Sequence, residues 1–183
     1  TVFEQVAPAP RWLKGGMLYQ IMTDRFFIGG ERNKTKPDAV YRDDWGGIPE
    51  YRPTADGKIL NNDFFGGNLK GITKKLGYLK SLGVTCIYLN PIFEAHSNHK
   101  YDTGNYRKVD PDFGTQADLE ELIKKAAKKG IRLMLDGVFS HTGDDSIYFN
   151  KYGHYDSVGA YQSPDSAFAD WYHFKNWPDD YDC

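Results

Sequence analysis

Twenty-five acidic residues, five histidines and two cysteines are available for chemistry, and their spacing narrows what that chemistry can be. The Cys and His residues show no zinc-site spacing. No glycine-rich phosphate loop follows an apolar run: "FFGGN" at 64–68 lacks both the P-loop lysine and the dinucleotide-binding spacing. Ser140 and His141 are neighbours, and neighbours on an extended segment point opposite ways, so a direct nucleophile–base pair is not expected. What remains is a set of polar residues at the ends of apolar runs. Asp24, Asn90, Asp136 and His141 hold such positions, with Asn98, His99, Tyr101 and Asp102 clustered between them.

The elements that must position these residues can be read from periodicity. Met17–Arg25, "MLYQIMTDR", is an apolar run with Asp24 and Arg25 at its end and predicts a strand. Leu69, Ile72, Leu76, Leu79 and Leu82 recur at spacings of three and four. They predict one helix face, with Asn68 as N-cap and Gly83 just past the end. Val84–Leu89 predicts a buried strand that Asn90-Pro91 terminates. Thr115 and Asp118 form a capping-box-like pair before a helix whose inner face is Leu119, Leu122, Ile123 and Ala126, with Lys128, Lys129 and Gly130 at its end. Ile131–Leu135 is a third strand with Asp136 at its tip. The order strand, helix, strand, helix, strand is that of parallel βα units. A doubly wound sheet and a (β/α)₈ barrel both satisfy it. The stretches 26–67, 94–114 and 142–183 read as polar excursions without a period, and unstructured loops of such length are usually functional or mobile.

At 183 residues the chain is long enough for one domain with a sizeable core. A formal charge of −2 supplies no broad electrostatic reason for nucleic acid or an anionic membrane as partner. No apolar run approaches membrane-spanning length, and no signal peptide opens the chain. Thr1 in place of Met suggests processing or trimming, so secreted and cytoplasmic locations both stay open. Pro8 and Pro10 make residues 1–16 read as an interdomain linker. Cys86, inside an apolar run, is expected to be a buried free thiol, while Cys183 is terminal. The 13 Tyr, 11 Phe and 4 Trp concentrate in polar stretches such as 148–161 and 171–177. Flat rings there suit either stacking on the CH-rich faces of sugars or packing of an irregular loop.

Four segments carry a more specific signal: "YQIMTDRF" at 19–26, "YLNPIF" at 88–93, "SNHKYDTGNY" at 97–106 and "MLDGVFSHTG" at 134–143. In that order they resemble the α-amylase family of glycoside hydrolases (family thirteen), above all its neopullulanase, cyclomaltodextrinase and amylopullulanase branch. The resemblance implies an α/β fold in which the chain supplies the first three βα units of a (β/α)₈ TIM barrel, plus the start of the domain B insertion after strand 3. Residues 17–141 would then be the barrel part and 142–183 the start of domain B. Barrel sites lie at the C-terminal mouth of the strands. The resemblance implies α-glucan as substrate, starch, maltodextrin or pullulan, with retaining cleavage of α-1,4 or α-1,6 bonds.

The implied roles follow residue by residue. Asp136 matches an aspartate that supports the catalytic cluster by pairing with an arginine and is not the nucleophile. His141 matches the histidine that hydrogen-bonds the sugar at the cleavage subsite, and Tyr101 the aromatic residue that stacks under the same sugar. Asn98 and Asp102, with His99, are candidates for the rim. Asn90 either orients the following loop or lines the cleft. Ser140 stands where many α-amylases carry a calcium-liganding asparagine, which weakens a calcium site there. Asn105 replaces an aspartate common in the branch. Asp144 and Asp145 are an alternative ligand pair or simply solvated acids.

Retaining glycosidases use two carboxyl groups about 5–5.5 Å apart. In the family these follow the fourth and fifth strands, with a third acid after the seventh, and no acid of this chain matches them. No catalytic residue is therefore assigned. The chain alone is expected to be inactive, and to self-associate or belong to a larger chain. The alternatives are a non-catalytic carbohydrate-binding or interaction fragment, and an unrelated βα enzyme.

Overall fold

The computed structural model describes residues 10–181. Residues 1–9 of the expected linker, with Pro8, and Cys183 lie outside the described residues. Residues 11–15 form turns, closed by Leu13 N donating to Pro10 O at 2.9 Å. In chain order the elements are β1 (Met17–Ile21), β2 (Val40–Tyr41), β3 (Asp63–Phe64), α1 (Leu69–Ser81), β4 (Val84–Leu89), β5 (Phe93–Ala95), β6 (Thr103–Val109), α2 (Gln116–Lys128), β7 (Arg132–Leu135), β8 (Phe174–Asn176) and β9 (Asp180–Tyr181). Short 3₁₀ turns occupy Thr23–Arg25 and Ala169–Trp171.

The centre is a three-stranded parallel sheet in the order β1-β4-β7, in which Ile21, Leu89 and Leu135 lie in register. Parallel neighbours need crossovers, and α1 and α2 supply them. Leu69, Ile72, Leu76 and Leu79 of α1 are buried with Leu119, Leu122 and Ala126 of α2 against Ile21, Ile87 and Leu89. Burying each such side chain contributes roughly 1.5–3 kcal/mol.

The helix ends follow local chemistry. Asn68 Oδ1 accepts from Gly71 N at 2.8 Å, and Gly83 takes the left-handed φ of +85° that ends α1. At α2, Thr115 Oγ1 accepts from Asp118 N at 3.2 Å while Thr115 N donates to Asp118 Oδ2 at 2.8 Å, a complete capping box. Two expected inner residues face outward. Leu82 is 41% exposed because it sits at the C-cap, past the last turn that faces the sheet. Ile123 is 47% exposed because the inward stripe runs along Leu119, Leu122 and Ala126, leaving 123 on its flank.

The first strand is shorter than the apolar run predicts. It stops at Ile21, and the chain turns through Thr23–Arg25 so that Asp24 points inward. Its carboxylate accepts from Phe65 N at 3.0 Å and Gly66 N at 2.9 Å, while Gly67 N donates to Asp24 O at 2.8 Å. An added Cβ on Gly67 would lie 2.1 Å from Thr23 O, so only glycine lets the two turns approach this closely. The third strand begins one residue later than expected, at Arg132. On the sheet face away from the helices, Leu18 is 45% exposed whereas Cys86 is a fully buried free thiol.

The excursion 94–114 is not irregular. β5 and β6 pair as an antiparallel hairpin whose tip is the 97–102 segment. Beyond Thr142, aromatic packing takes the place of periodic structure. Phe149 is buried with its ring 4.9–5.9 Å from those of Tyr161, Tyr172, Phe174 and Tyr181. Among the described residues no helix is long and apolar enough to cross a membrane.

Candidate functional site

The hairpin tip is held from below by a buried ion cluster. Lys100, fully buried and with a positive φ of 65°, places Nζ 2.8 Å from Asp110 Oδ2 and donates to Ala95 O at 3.1 Å. Lys36 Nζ reaches the same carboxylate at 3.1 Å and Asp112 at 3.3 Å. Burial pushes the Lys100 ammonium down to about 8, the Asp110 charge opposing it. Within the tip, Ser97 N donates to Asp102 Oδ2 at 2.9 Å, Ser97 Oγ donates to Asp102 Oδ1, and Lys100 N donates to Ser97 Oγ at 3.0 Å. Tyr101 N donates to His99 Nδ1 at 3.1 Å, so that ring carries its proton on Nε2 when neutral. Burial lowers the His99 pKa and favours that neutral form.

This scaffold aims Tyr101 at the end of β7. Its phenol donates to Asp136 Oδ2 at 2.9 Å, and Asp136 N donates to Leu89 O at 3.0 Å, which sets the acid at the sheet end. Burial and then Asp136 raise the Tyr101 phenol. Interaction with the same carboxylate pushes Tyr88 up to about 12. His141 Nε2 lies 3.0 Å from Tyr101 O, which requires Nε2 to be the donor, and Ser140 Oγ is 3.2 Å from Nδ1. The expectation that Ser140 and His141 cannot meet is thus corrected. The chain there is bent, Phe139 N donating to Gly137 O at 3.0 Å, so the strand alternation rule does not apply. The pair still lacks an acid at the imidazole, since Nε2 is given to a carbonyl.

Tyr101, Asp136 and His141 therefore converge. Asn90 stands one step aside at the same sheet end, its Oδ1 accepting from Gln20 Nε2 at 2.8 Å. Asn98 and Asp102 serve the loops: Asn98 Nδ2 donates to Asp63 Oδ1 at 2.9 Å, and Asp102 holds Ser97 as above. Tyr88, Gln20, Ser97 and Tyr106 escape sequence reasoning. Tyr106 OH donates to His141 O at 2.8 Å and fixes the histidine's backbone. The only sequence cue was alternation along the strand, which puts Gln20 and Tyr88 on the face opposite the helices.

Beside His141 opens a cleft of about 660 Å³ whose walls include Tyr106, Phe139, Tyr148, Trp171 and Tyr172. Tyr148 stacks between Tyr106 at 5.6 Å and Trp171 at 5.0 Å, so it is packing. Phe139 is 84% exposed at the cleft edge. Ser140 is turned to His141, and Asp144 Oδ2 accepts from Tyr152 OH at 2.6 Å. Burial, then the neighbouring Asp102 charge, raise the Asp145 carboxyl. Among the described residues no group of three or more His, Cys, Asp or Glu is placed to hold a metal ion.

The profile of the α-amylase catalytic domain matches residues 20–180. The chain is 47% identical over 192 residues to an amylopullulanase of Thermoanaerobacterium saccharolyticum, covering 94% of this chain and 15% of that protein. It is 40% identical over 170 residues to a cyclomaltodextrinase of Thermoanaerobacter pseudethanolicus, covering 93% and 26%. Among solved structures, the cyclic α-maltosyl-(1→6)-maltose hydrolase of Arthrobacter globiformis in complex with that sugar superposes with a TM-score of 0.72 at 32% identity, over 94% of this chain and 34% of that one. The type III pullulan hydrolase of Thermococcus kodakarensis gives 0.69 at 32% identity, over 91% and 29%. The chain thus spans a small part of each relative's length.

Proposed function

Since the chain belongs to the α-amylase family of glycoside hydrolases, we propose that it forms part of an α-glucan-acting, retaining enzyme and carries one wall of its sugar site. In this reading β1, β4 and β7 are the first three strands of a (β/α)₈ barrel. Residues 1–16 are the preceding linker, 17–141 the barrel part and 142–183 the start of domain B. One observation carries the proposal: the Tyr101 phenol on Asp136 at 2.9 Å and His141 Nε2 on Tyr101 O at 3.0 Å, both at the C-terminal end of parallel strands.

The chemistry follows from that arrangement. Tyr101, clamped at its hydroxyl and its backbone, offers a ring that cannot swing when a pyranose stacks on it. Asp136 keeps a negative charge close to the sugar, where it favours the positive charge that develops at the anomeric carbon. His141 is held at both nitrogens, so a sugar hydroxyl that displaces either partner meets a pre-oriented group. Asn98 and Asp102 shape the rim through the loops they tie, and Asn90 with Gln20 lines the sheet end. The nucleophile and the acid/base come from residues outside these 183.

The purified 183-residue chain is therefore expected to bind maltohexaose and to release no reducing sugar from starch, pullulan or cyclodextrin. Defined turnover on any of these would sink the assignment. A second reading, a carbohydrate-binding unit without chemistry, is favoured by the lack of any matching carboxylate pair. It requires that fusion to the remaining barrel sequence of a relative yield no hydrolysis.

We also propose that the chain joins a second copy or further sequence through β1 and β7. Among the described residues both strands pair on one side only, and Met17, Leu18 and Leu135 are exposed. Sedimentation at micromolar concentration should show self-association of the 183-residue chain. A cooperative monomer would rule this out.

A further inference from the structure

We propose that the groove walled by Trp45 and Tyr51 is a second contact for the same α-glucan, on a different loop from Tyr101. This rests on the α-glucan reading above. The groove encloses about 620 Å³, within the range of roughly 300–1,000 Å³ usual for small-molecule sites. Trp45, Tyr51 and Ile59 form its apolar side, while Glu50 and Asn61 bring a carboxylate and an amide to it.

Its floor is tied together by ion pairs and hydrogen bonds. Asp63, only 2% exposed, accepts from Arg25 Nη2 at 3.1 Å, Asn98 Nδ2 at 2.9 Å and Glu50 N at 3.0 Å. The Arg25 and Arg42 guanidinium groups lie 4.3 and 5.2 Å from the Phe65 ring centroid, and Trp45 meets Phe65 edge-on at 6.3 Å. Arg25 also faces Asp24 at 3.2 Å, and Arg42 faces Asp44 at 2.5 Å. Both guanidinium groups thus have acids of the protein as partners, and the Glu50 carboxylate adds negative charge, so the groove does not favour a phosphate or another anion.

What suits a lining of exposed rings with an amide and a carboxylate that can bond hydroxyls is a ligand with apolar faces and a rim of hydroxyls, which describes a glucose unit. Trp45 is 45% and Tyr51 63% exposed, so both rings are accessible. The groove is also continuous with the Tyr101 loop. Asn98 N donates to Asn61 O at 2.7 Å, its amide holds Asp63, and Tyr101 follows three residues later. Asn61 adopts a left-handed φ of 50° at this junction, a conformation asparagine tolerates better than most residues. A chain of several glucose units that stacks on Tyr101 therefore has a second ring-lined surface beside it.

Calorimetric titration of the 183-residue chain with maltohexaose tests this. Trp45→Ala and Tyr51→Ala should each weaken binding about tenfold, as truncating an aromatic anchor does, with the circular dichroism spectrum unchanged. Tyr51→Ala, at an exposed position, answers the same question if Trp45→Ala unfolds. Cellohexaose, with its straighter β-linked chain, should bind more weakly than maltohexaose. Affinities of both variants within twofold of the parent, equal affinity for cellohexaose, or no uptake of maltohexaose would each overturn the groove assignment. The α-glucan reading itself is judged separately, by the kinetics of Tyr101 and His141 variants in a complete enzyme.

Discussion

In a complete enzyme that carries this segment, Tyr101→Ala and His141→Ala are each expected to lower kcat/KM by roughly two orders of magnitude. Asp145→Ala should leave it nearly unchanged. Both of the first two residues belong to one connected unit: Tyr101 to Asp136 at 2.9 Å and His141 to Tyr101 O at 3.0 Å. Removing the ring takes away the proposed stacking surface and releases the Asp136 carboxylate. Removing the imidazole takes away a held hydrogen-bonding group. Asp145 stands apart from this unit, next to Asp102. Tyr101→Phe separates the two contributions of the tyrosine, because it keeps the ring and loses only the bond to Asp136. It should fall between the parent and Tyr101→Ala. Steady-state kinetics on a maltooligosaccharide decides the matter, and equal losses at all three positions would remove Tyr101 and His141 from the site.

The second large effect is on stability. Asp24→Ala is expected to destabilise the folded chain by roughly 3–5 kcal/mol, the range for removing one member of a buried, hydrogen-bonded charge pair. The carboxylate is 1% exposed, and its loss strands the Phe65 and Gly66 N–H groups and leaves Arg25 without one of its two acids. Urea unfolding measures it, and a loss below about 1 kcal/mol, the scale of one ordinary hydrogen bond, would show that Asp24 is not the clamp described. The pH dependence has a definite sign. Burial holds this carboxyl above its ordinary value of 3.8, against the pull of the two N–H groups and Arg25. As pH falls, the folded chain takes up this proton before the unfolded chain does. The contribution of Asp24 therefore grows as pH drops through its folded value and levels off below 3.8. The difference between parent and Asp24→Ala should widen over that interval.

Much of the scaffold was legible in the chain itself. The four leucine and isoleucine positions of α1, the Thr115–Asp118 box and Gly83 and Gly130 act within one or two helical turns, so local order is enough to read them. Val84–Leu89 has the predicted bounds because Asn90-Pro91 ends it chemically. The motif residues Tyr101, Asp136 and His141 could be named because their residue types at these spacings resemble a family.

Their meeting could not be read that way. Tyr101 lies 35 residues from Asp136 and 40 from His141, and they meet through the parallel pairing of β4 with β7 and the β5–β6 hairpin that follows β4. The β5–β6 hairpin was hidden because "TGNYRKV" lacks an alternating apolar face. It is held instead by Lys100, Lys36, Asp110 and Asp112, charges that read as loop until burial pairs them. Asp24 at the end of an apolar run looks like a residue for the barrel mouth, but Phe65 and Gly66, some forty residues later, turn it into a clamp. Helix faces and caps are set by neighbours in sequence, whereas the partners of a buried polar group are set by whichever distant segment arrives with a matching donor. That is why the sequence determined the elements and named Tyr101, Asp136 and His141 as candidates, and only the tertiary structure decided which side chains meet at the sheet end and which hold the loops.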